Sequence, residues 1–430
     1  MSQNALATPE APFQEPKRPA RKFTFTWRTL LLAVGALILL LSFTRAVTGA
    51  ADLTSTGAIT ASIALAVPIG LAGLGGLWAE RAGVVNIGLE GMMIMGTWSG
   101  AWGALYFDNP WAGVVAGAIG GALGGLLHAI ATVTFGVDHI ISGVAINILG
   151  LGVTQFLSKV TFAEMKGGGD SQSPPVPKPE VVSVPWDRLG DQDPLRALEA
   201  KQWFLLSDVA GILRGLTTNV SLLTILAILL VPLSYYVLWR TAFGLRLRSC
   251  GESPVAAESL GVNVYLHKYV AVVVSGALAG LGGAFLAQVA ASAYREGQTG
   301  GRGFIGLAAM IFGNWRPGGL AGGALLFGYT DGLQLRGSGA AVHALLLVVA
   351  ILLAAVAVHQ LVRQGRARTA LITGVAAVVV FVVFALTDSI PPEFTSVTPH
   401  ITTLLVLSLA AQRLRPPAAN GVIYRRGQGG

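Results

Sequence analysis

The chain has 430 residues, 53% of them hydrophobic and only 12% charged, against about 25% charged in a soluble domain. That deficit excludes an ordinary water-soluble globule, and the 56 glycines suit membrane helices, whose backbones approach closely over small residues. The single cysteine, Cys250, excludes an internal disulfide and a cysteine-based metal site; no His/Asp/Glu cluster has metal-ligand spacing, and no cofactor is implied.

Residues 1–27 are polar and proline-containing, with Lys17, Arg18, Arg21 and Lys22 near the end, and read as a cytoplasmic tail. The apolar run 30–43 follows. A cleaved signal peptide is the competing reading, but the polar lead is long and no small-residue cleavage site follows, so a retained first helix is favoured. Further apolar segments lie at 57–79, 89–107, 111–135, 140–160, 216–239, 269–291, 304–312, 318–333, 342–359, 370–386 and 397–411. A full crossing needs about 20 residues, so 304–312 and 397–411 read as half-helices or broken ones. The fold class is all-α: a polytopic membrane protein of about ten to twelve helices.

The net charge of +8 reads as basic cytoplasmic loops rather than a nucleic-acid surface. Arg240, Arg246, Arg248 and Lys268 mark one such loop, Arg363, Arg366 and Arg368 another, and Arg413, Arg415, Arg425 and Arg426 the C-terminus. With all of these and both termini in the cytoplasm, five crossings precede the insert 161–215, which falls outside. Its Pro174, Pro175, Pro177 and Pro179 preclude a regular helix there, and a solvated loop apart from the pathway is expected. The organisation is then a cytoplasmic tail (1–27), a first membrane half (28–160), an extracytoplasmic insert (161–215), a second membrane half (216–360) with a cytoplasmic coupling loop (240–268), a C-terminal membrane extension (361–412) and a cytoplasmic tail (413–430).

The hexapeptide Leu-Ala-Gly-Leu-Gly-Gly occurs at 71–76 and again at 278–283. A second similarity follows each copy: Ile87-Gly88-Leu89 leads to Gly96 and Trp98, and Ile305-Gly306-Leu307 leads to Gly313 and Trp315. By the charge-based topology the first copy runs inward and the second outward, which makes an inverted internal repeat. Such repeats place a pathway near the midplane, with interrupted helices at the repeat interface.

Between two apolar segments stands Glu80-Arg81-Ala82-Gly83-Val84-Val85-Asn86-Ile87-Gly88-Leu89-Glu90-Gly91. Polar groups at membrane depth face a cavity or pair with one another, so Asn86 and Glu90, four apart, are candidates for lining a solute path. The alternative is a loop in which Glu90 opens the next helix, where an acid suits the positive dipole end. In the loop after the sixth segment, Ser253 is placed to cap a short helix with Pro254 at its first position and Gly261 at its end. Asp138 reads as a cap, His128 and His343 as packing residues, Asp331 as a partner for Arg336, and Trp98, Trp102 and Trp111 as an aromatic belt, with Trp98 also able to stack a base.

The stretches 80–93 and 251–264 closely resemble the permease subunits of ABC importers for nucleosides, part of the larger group of ribose-type and branched-chain amino acid permeases. The resemblance covers 58–335 and carries nothing over to the insert or to the extension after His359. It implies a subunit that forms the solute pathway with a second homologous permease. A separate ABC ATPase would power it, and an extracytoplasmic solute-binding lipoprotein would supply it, in the inner membrane of a prokaryote and with no nucleic-acid partner. Asn86, Glu90, Trp98 and Asn314 are then the pathway candidates. Gly251, Glu252, Ser253, Pro254, Ala256, Ala257, Glu258 and Gly261 are the candidates for contact with the ATPase. No Gly-x-x-x-x-Gly-Lys-Ser/Thr run occurs, so no ATPase site of its own is expected, and the chain is not read as an enzyme. The competing readings are a sugar or branched-chain amino acid ABC permease, a secondary transporter driven by an ion gradient with Glu90 titrating, and a membrane-embedded enzyme.

Overall fold

The computed structural model describes residues 27–182, 184, 192–336, 339–391 and 414–427. The segment 397–411, the tail before residue 27 and Arg413 lie outside them. The first membrane half holds α1 (Trp27–Thr48), α2 (Thr56–Arg81), α3 (Leu89–Tyr106), α4 (Pro110–Ala129), which runs on through a π turn, and α5 (His139–Thr161). The insert carries α6 (Pro194–Ala200) and α7 (Leu206–Thr217), with a two-residue strand pairing Val181–Val182 to Val220–Ser221. Then come α8 (Leu222–Arg240), α9 (Ala242–Glu252), α10 (Pro254–Ser259), α11 (Val264–Phe285), α12 (Arg302–Phe312), α13 (Pro317–Arg336), α14 (Gly339–Gln364) and α15 (Ala367–Leu386). Among the described residues, eight helices are long and apolar enough to cross a membrane, so the chain is an all-α integral membrane protein. The helix α12 spans only 11 residues, as the short apolar run indicated.

Local sequence sets these boundaries. Asn109 accepts the N–H groups of Trp111 and Ala112 and puts Pro110 at the first position of α4. Asp138 caps α5 in the same way. Leu216 belongs to α7 rather than to a membrane crossing, because Asn219 turns the chain with a φ of 54° before Ser221 caps α8.

The two hexapeptides meet at the centre, where α2 and α11 pack antiparallel. A Cβ on Gly75 would stand 2.5 Å from the Ser275 carbonyl, and one on Gly282 would stand 3.1 Å from that of Pro68. Gly75 and Gly282 are the fifth residues of their hexapeptides, and Ser275 and Pro68 each lie three residues before the start of the hexapeptide on their own helix. Both contacts follow from the antiparallel crossing of α2 and α11, which brings the two copies of the hexapeptide against each other. The second similarity is not in register with the packing. Gly306 packs on Gly73, but the residue that packs on the equivalent Gly280 is Gly96, not Gly88. Beside this pair, Gly117, Gly121 and Gly125 of α4 lie against Gly280, Gly276 and Val272 of α11, a small-residue seam that lets two backbones touch.

The insert is folded, not the solvated loop expected. Arg45 Nη2 donates to Asp208 Oδ2 at 3.0 Å, the Thr54 hydroxyl donates to the same carboxylate, and the Thr56 backbone N–H donates to Glu199 at 2.8 Å. These bonds fasten α6 and α7 to the ends of α1 and α2. The proline-rich run is extended, as its prolines require, and it pairs with the segment before α12: Ser173 N–H donates to the Tyr294 carbonyl at 3.0 Å and Val176 N–H to that of Ser292 at 2.9 Å. Sequence pattern cannot show a loop closed by partners about 120 residues away.

Candidate solute pathway and coupling surface

Gly83 turns the chain after α2 with a φ of 82°, and α3 begins only at Leu89. The residues between are non-helical, yet their polar groups are met by side chains. His128 Nε2 lies 3.1 Å from the Val85 carbonyl, Val85 N–H donates to His139 Nδ1 at 3.3 Å, and Asn147 Nδ2 donates to the Ile87 carbonyl at 3.1 Å. Irregular backbone survives at membrane depth only with such partners. Asn86 is fully buried in the break. Its Oδ1 accepts the Gly88 N–H at 3.1 Å and its Nδ2 donates to the Ser275 hydroxyl at 2.9 Å, tying the break to α11.

Glu90 stands in the first turn of α3 and reaches across to the start of α12. Its Oε1 accepts the Gly301 N–H at 2.9 Å and its Oε2 the Gly303 N–H at 2.7 Å. Two positive helix ends therefore share one carboxylate. Gly301, at a φ of 80°, makes the turn, and a Cβ on Gly303 would lie 2.6 Å from the Glu90 backbone. Arg302, between them, pairs with Asp331 of α13 at 2.6 Å. This corrects the expected Asp331–Arg336 pair: the side chain of Arg336 lies against Gly57 instead.

Trp98 lies on α3 toward the insert and stacks on Trp102, with ring centroids 6.0 Å apart. Its indole N–H finds no hydrogen-bond partner among the described residues. Trp111 packs against the main core rather than joining the stack. Asn314 is far from this group, in the turn between α12 and α13, where Asn314 and Trp315 both take left-handed conformations (φ 53° and 52°). Its Oδ1 accepts the Arg415 N–H at 2.8 Å. The four pathway candidates thus occupy three places: the break, the part of α3 toward the insert and the far turn.

The 240–268 loop folds as two helices where one was expected. Thr241 caps α9, and α10 starts at Pro254, but Ser253 makes no side-chain cap; its carbonyl accepts the Ala257 N–H at 3.0 Å. Gly261 follows α10 with a φ of 79°, as its type implied. The turn of the helix sorts the candidates. Pro254 and Ala257 face inward, Ala257 being 1% exposed beside Cys250, Val264 and Tyr424. Gly251 is buried too, while Glu252, Ser253, Ala256 and Gly261 are exposed and Glu258 is partly covered. Leu260, absent from the sequence-based set, is 84% exposed. Burial raises the Cys250 thiol to about 11.

His128, His139, Asn147 and Ser275 were not singled out as site residues from sequence, although a lone polar residue on an apolar helix was the available signal. His128 and His343 are satisfied packing residues, His128 through Ser142 and Val85 and His343 through the Phe384 carbonyl at 3.0 Å.

Residues 58–357 match the family described as branched-chain amino acid transport system / permease component. The guanosine ABC transporter permease protein NupQ of Bacillus subtilis is 33% identical over 377 residues, 86% of this chain and 97% of that protein. The nucleoside ABC transporter permease protein NupC of Lactococcus lactis is 32% identical, over 83% of this chain and 93% of its own. A putative glucose ABC transporter permease protein of Haloferax volcanii is 32% identical over 66% of this chain. No solved structure matches. With the matched region spanning the α2–α3 break, both hexapeptides and α9–α10, this chain belongs to the family of branched-chain amino acid transport system permease components.

Proposed function

We propose that this chain is the permease subunit of an ABC importer for nucleosides, working with a second homologous permease, a separate ATPase and an extracytoplasmic binding lipoprotein. The carrying observation is its likeness, over more than four-fifths of its length, to permeases named for guanosine and for nucleosides. The arginines near α9, between α14 and α15, and in 414–427 support a cytoplasmic C-terminus and an insert on the outer face. In this reading Trp98, whose indole N–H has no partner among the described residues, meets the solute. Asn86 and Glu90 shape the path by fixing the break and the start of α12, and Asn314 by fixing the far turn. The exposed face of α9–α10, from Glu252 through Ala256 to Leu260 and Gly261, meets the ATPase, backed by Gly251, Pro254, Ala257 and Glu258. Glu90 holds two N–H groups with its two oxygens, which fastens the start of α12 to α3. Competition for uptake tests the substrate class. Labelled guanosine entering cells that express the whole system is expected to be displaced by other nucleosides and not by glucose or leucine. Displacement by glucose alone would sink the nucleoside assignment.

A further inference from the structure

The segment 414–427 crosses one face of the bundle and touches four separate elements. The Arg415 N–H donates to Asn314 in the α12–α13 turn. Asn420 Nδ2 donates to Glu80 Oε2 at 2.8 Å, and the Gly421 N–H donates to the Gly83 carbonyl at 3.3 Å, both at the end of α2. The Ala419 N–H donates to the Gly251 carbonyl at 2.8 Å and the Ala418 N–H to Glu252 at 3.2 Å, at the end of α9. Beyond these, Tyr424 and Arg426 engage Glu258 of α10, whose carboxyl is held below its usual range first by the Tyr424 hydroxyl. Direct contacts close the circuit. Trp315 Nε1 donates to the same Glu80 oxygen at 2.6 Å, and Arg81 donates to the Trp315 carbonyl at 2.6 Å.

Glu80 is therefore a junction where α2, the α12–α13 turn and the C-terminal segment meet. The turn itself is strained, since Asn314 and Trp315 stand consecutively in the left-handed region, which asparagine tolerates and a bulky tryptophan does not. Such a conformation persists only where its surroundings over-determine it. The C-terminal segment supplies part of that constraint through Asn314 and is bonded at its other end to α9 and α10.

We propose that the segment 414–427 is a coupling strap: it carries movement of α9–α10 to the end of α2 and to the α12–α13 turn, so that events at the coupling surface reach the α2–α3 break. This rests on the ABC-permease reading above. A chain of hydrogen bonds joining two elements to a strained turn transmits displacement that either element alone would absorb.

The test is the amount of guanosine moved per ATP hydrolysed by the complete complex in proteoliposomes. It compares the unaltered chain with one ending before Leu414 and with Asn420→Leu and Tyr424→Phe. The truncated complex is expected to retain ATP hydrolysis while its transport per ATP falls about ten-fold, the size of a typical coupling free energy between sites. Asn420→Leu is expected to fall in the same direction, and its single substitution keeps the test independent of any folding defect in the truncation. An unchanged ratio, or hydrolysis and transport falling in proportion, would overturn the strap while leaving the importer reading intact. An unaltered complex that contains no ATPase would overturn both.

Discussion

A carboxylate gains about 1.5–3 kcal/mol from each backbone N–H it accepts, and Glu90 accepts two at the start of α12. Glu90→Gln would set an amide NH2 against one of those N–H groups and leave it buried and unmet, at a cost of about 1–3 kcal/mol. The variant is expected to lower the thermal midpoint of the detergent-solubilised protein and to reduce uptake; an unchanged midpoint would show that the cap contributes nothing. Asn86→Leu strands both the Gly88 N–H and the Ser275 hydroxyl, so it should be at least as damaging. Both residues were legible in the sequence as polar groups among glycines. Their partners were not, because Ser275, Gly301 and Gly303 lie about 190–210 residues away and no local pattern pairs them. The alternative that Glu90 simply opens a helix is correct for α3 and incomplete, since the same side chain also serves α12.

Among the elements, helix lengths and the half-helix α12 followed from apolar runs, because hydropathy over about 20 residues reports burial in lipid directly. The insert did not follow, since its fold depends on the Arg45–Asp208 ion pair and on hydrogen bonds from Thr54 and Thr56 at distant helix ends. Burial works to raise the Asp208 carboxyl, but hydrogen bonds from Thr54 and Arg45 and the Arg45 charge outweigh it and hold the group below its usual value. A carboxylate depressed in the folded state stabilises above its unfolded pKa and loses that contribution as pH falls through the folded value. Protection of the insert from protease should therefore stay constant from neutral pH down to about pH 5 and decline below about pH 4. Asp208→Asn should lose protection already at neutral pH, and equal protection in both proteins would contradict the ion-pair account. On α10 the exposure pattern separates docking from packing. Leu260→Arg is expected to leave the fold intact and to reduce co-purification of the ATPase about ten-fold, as loss of one interface anchor does. Ala257→Arg would instead disrupt the packing under Tyr424. Full ATPase recovery with Leu260→Arg would remove α10 from the interface.

For the whole molecule, sidedness is open to a direct check, because Cys250 is buried and its thiol sits at about 11, leaving an introduced cysteine as the reactive one. Lys178→Cys in the exposed part of the insert should react with an impermeant maleimide in intact cells, and Ser259→Cys on α10 only after lysis; the reverse pattern would invert the topology. The importer reading supplies a second permease as the other half of the pathway. The central claim is that ATP bound by a separate subunit drives nucleosides through that pair. It is tested most directly by counting labelled guanosine taken up by proteoliposomes holding the complete complex, with ATP supplied on the α10 side. Uptake that requires ATP and persists when ion gradients are collapsed is the result predicted. Uptake that proceeds without ATP and vanishes with the proton gradient would contradict it.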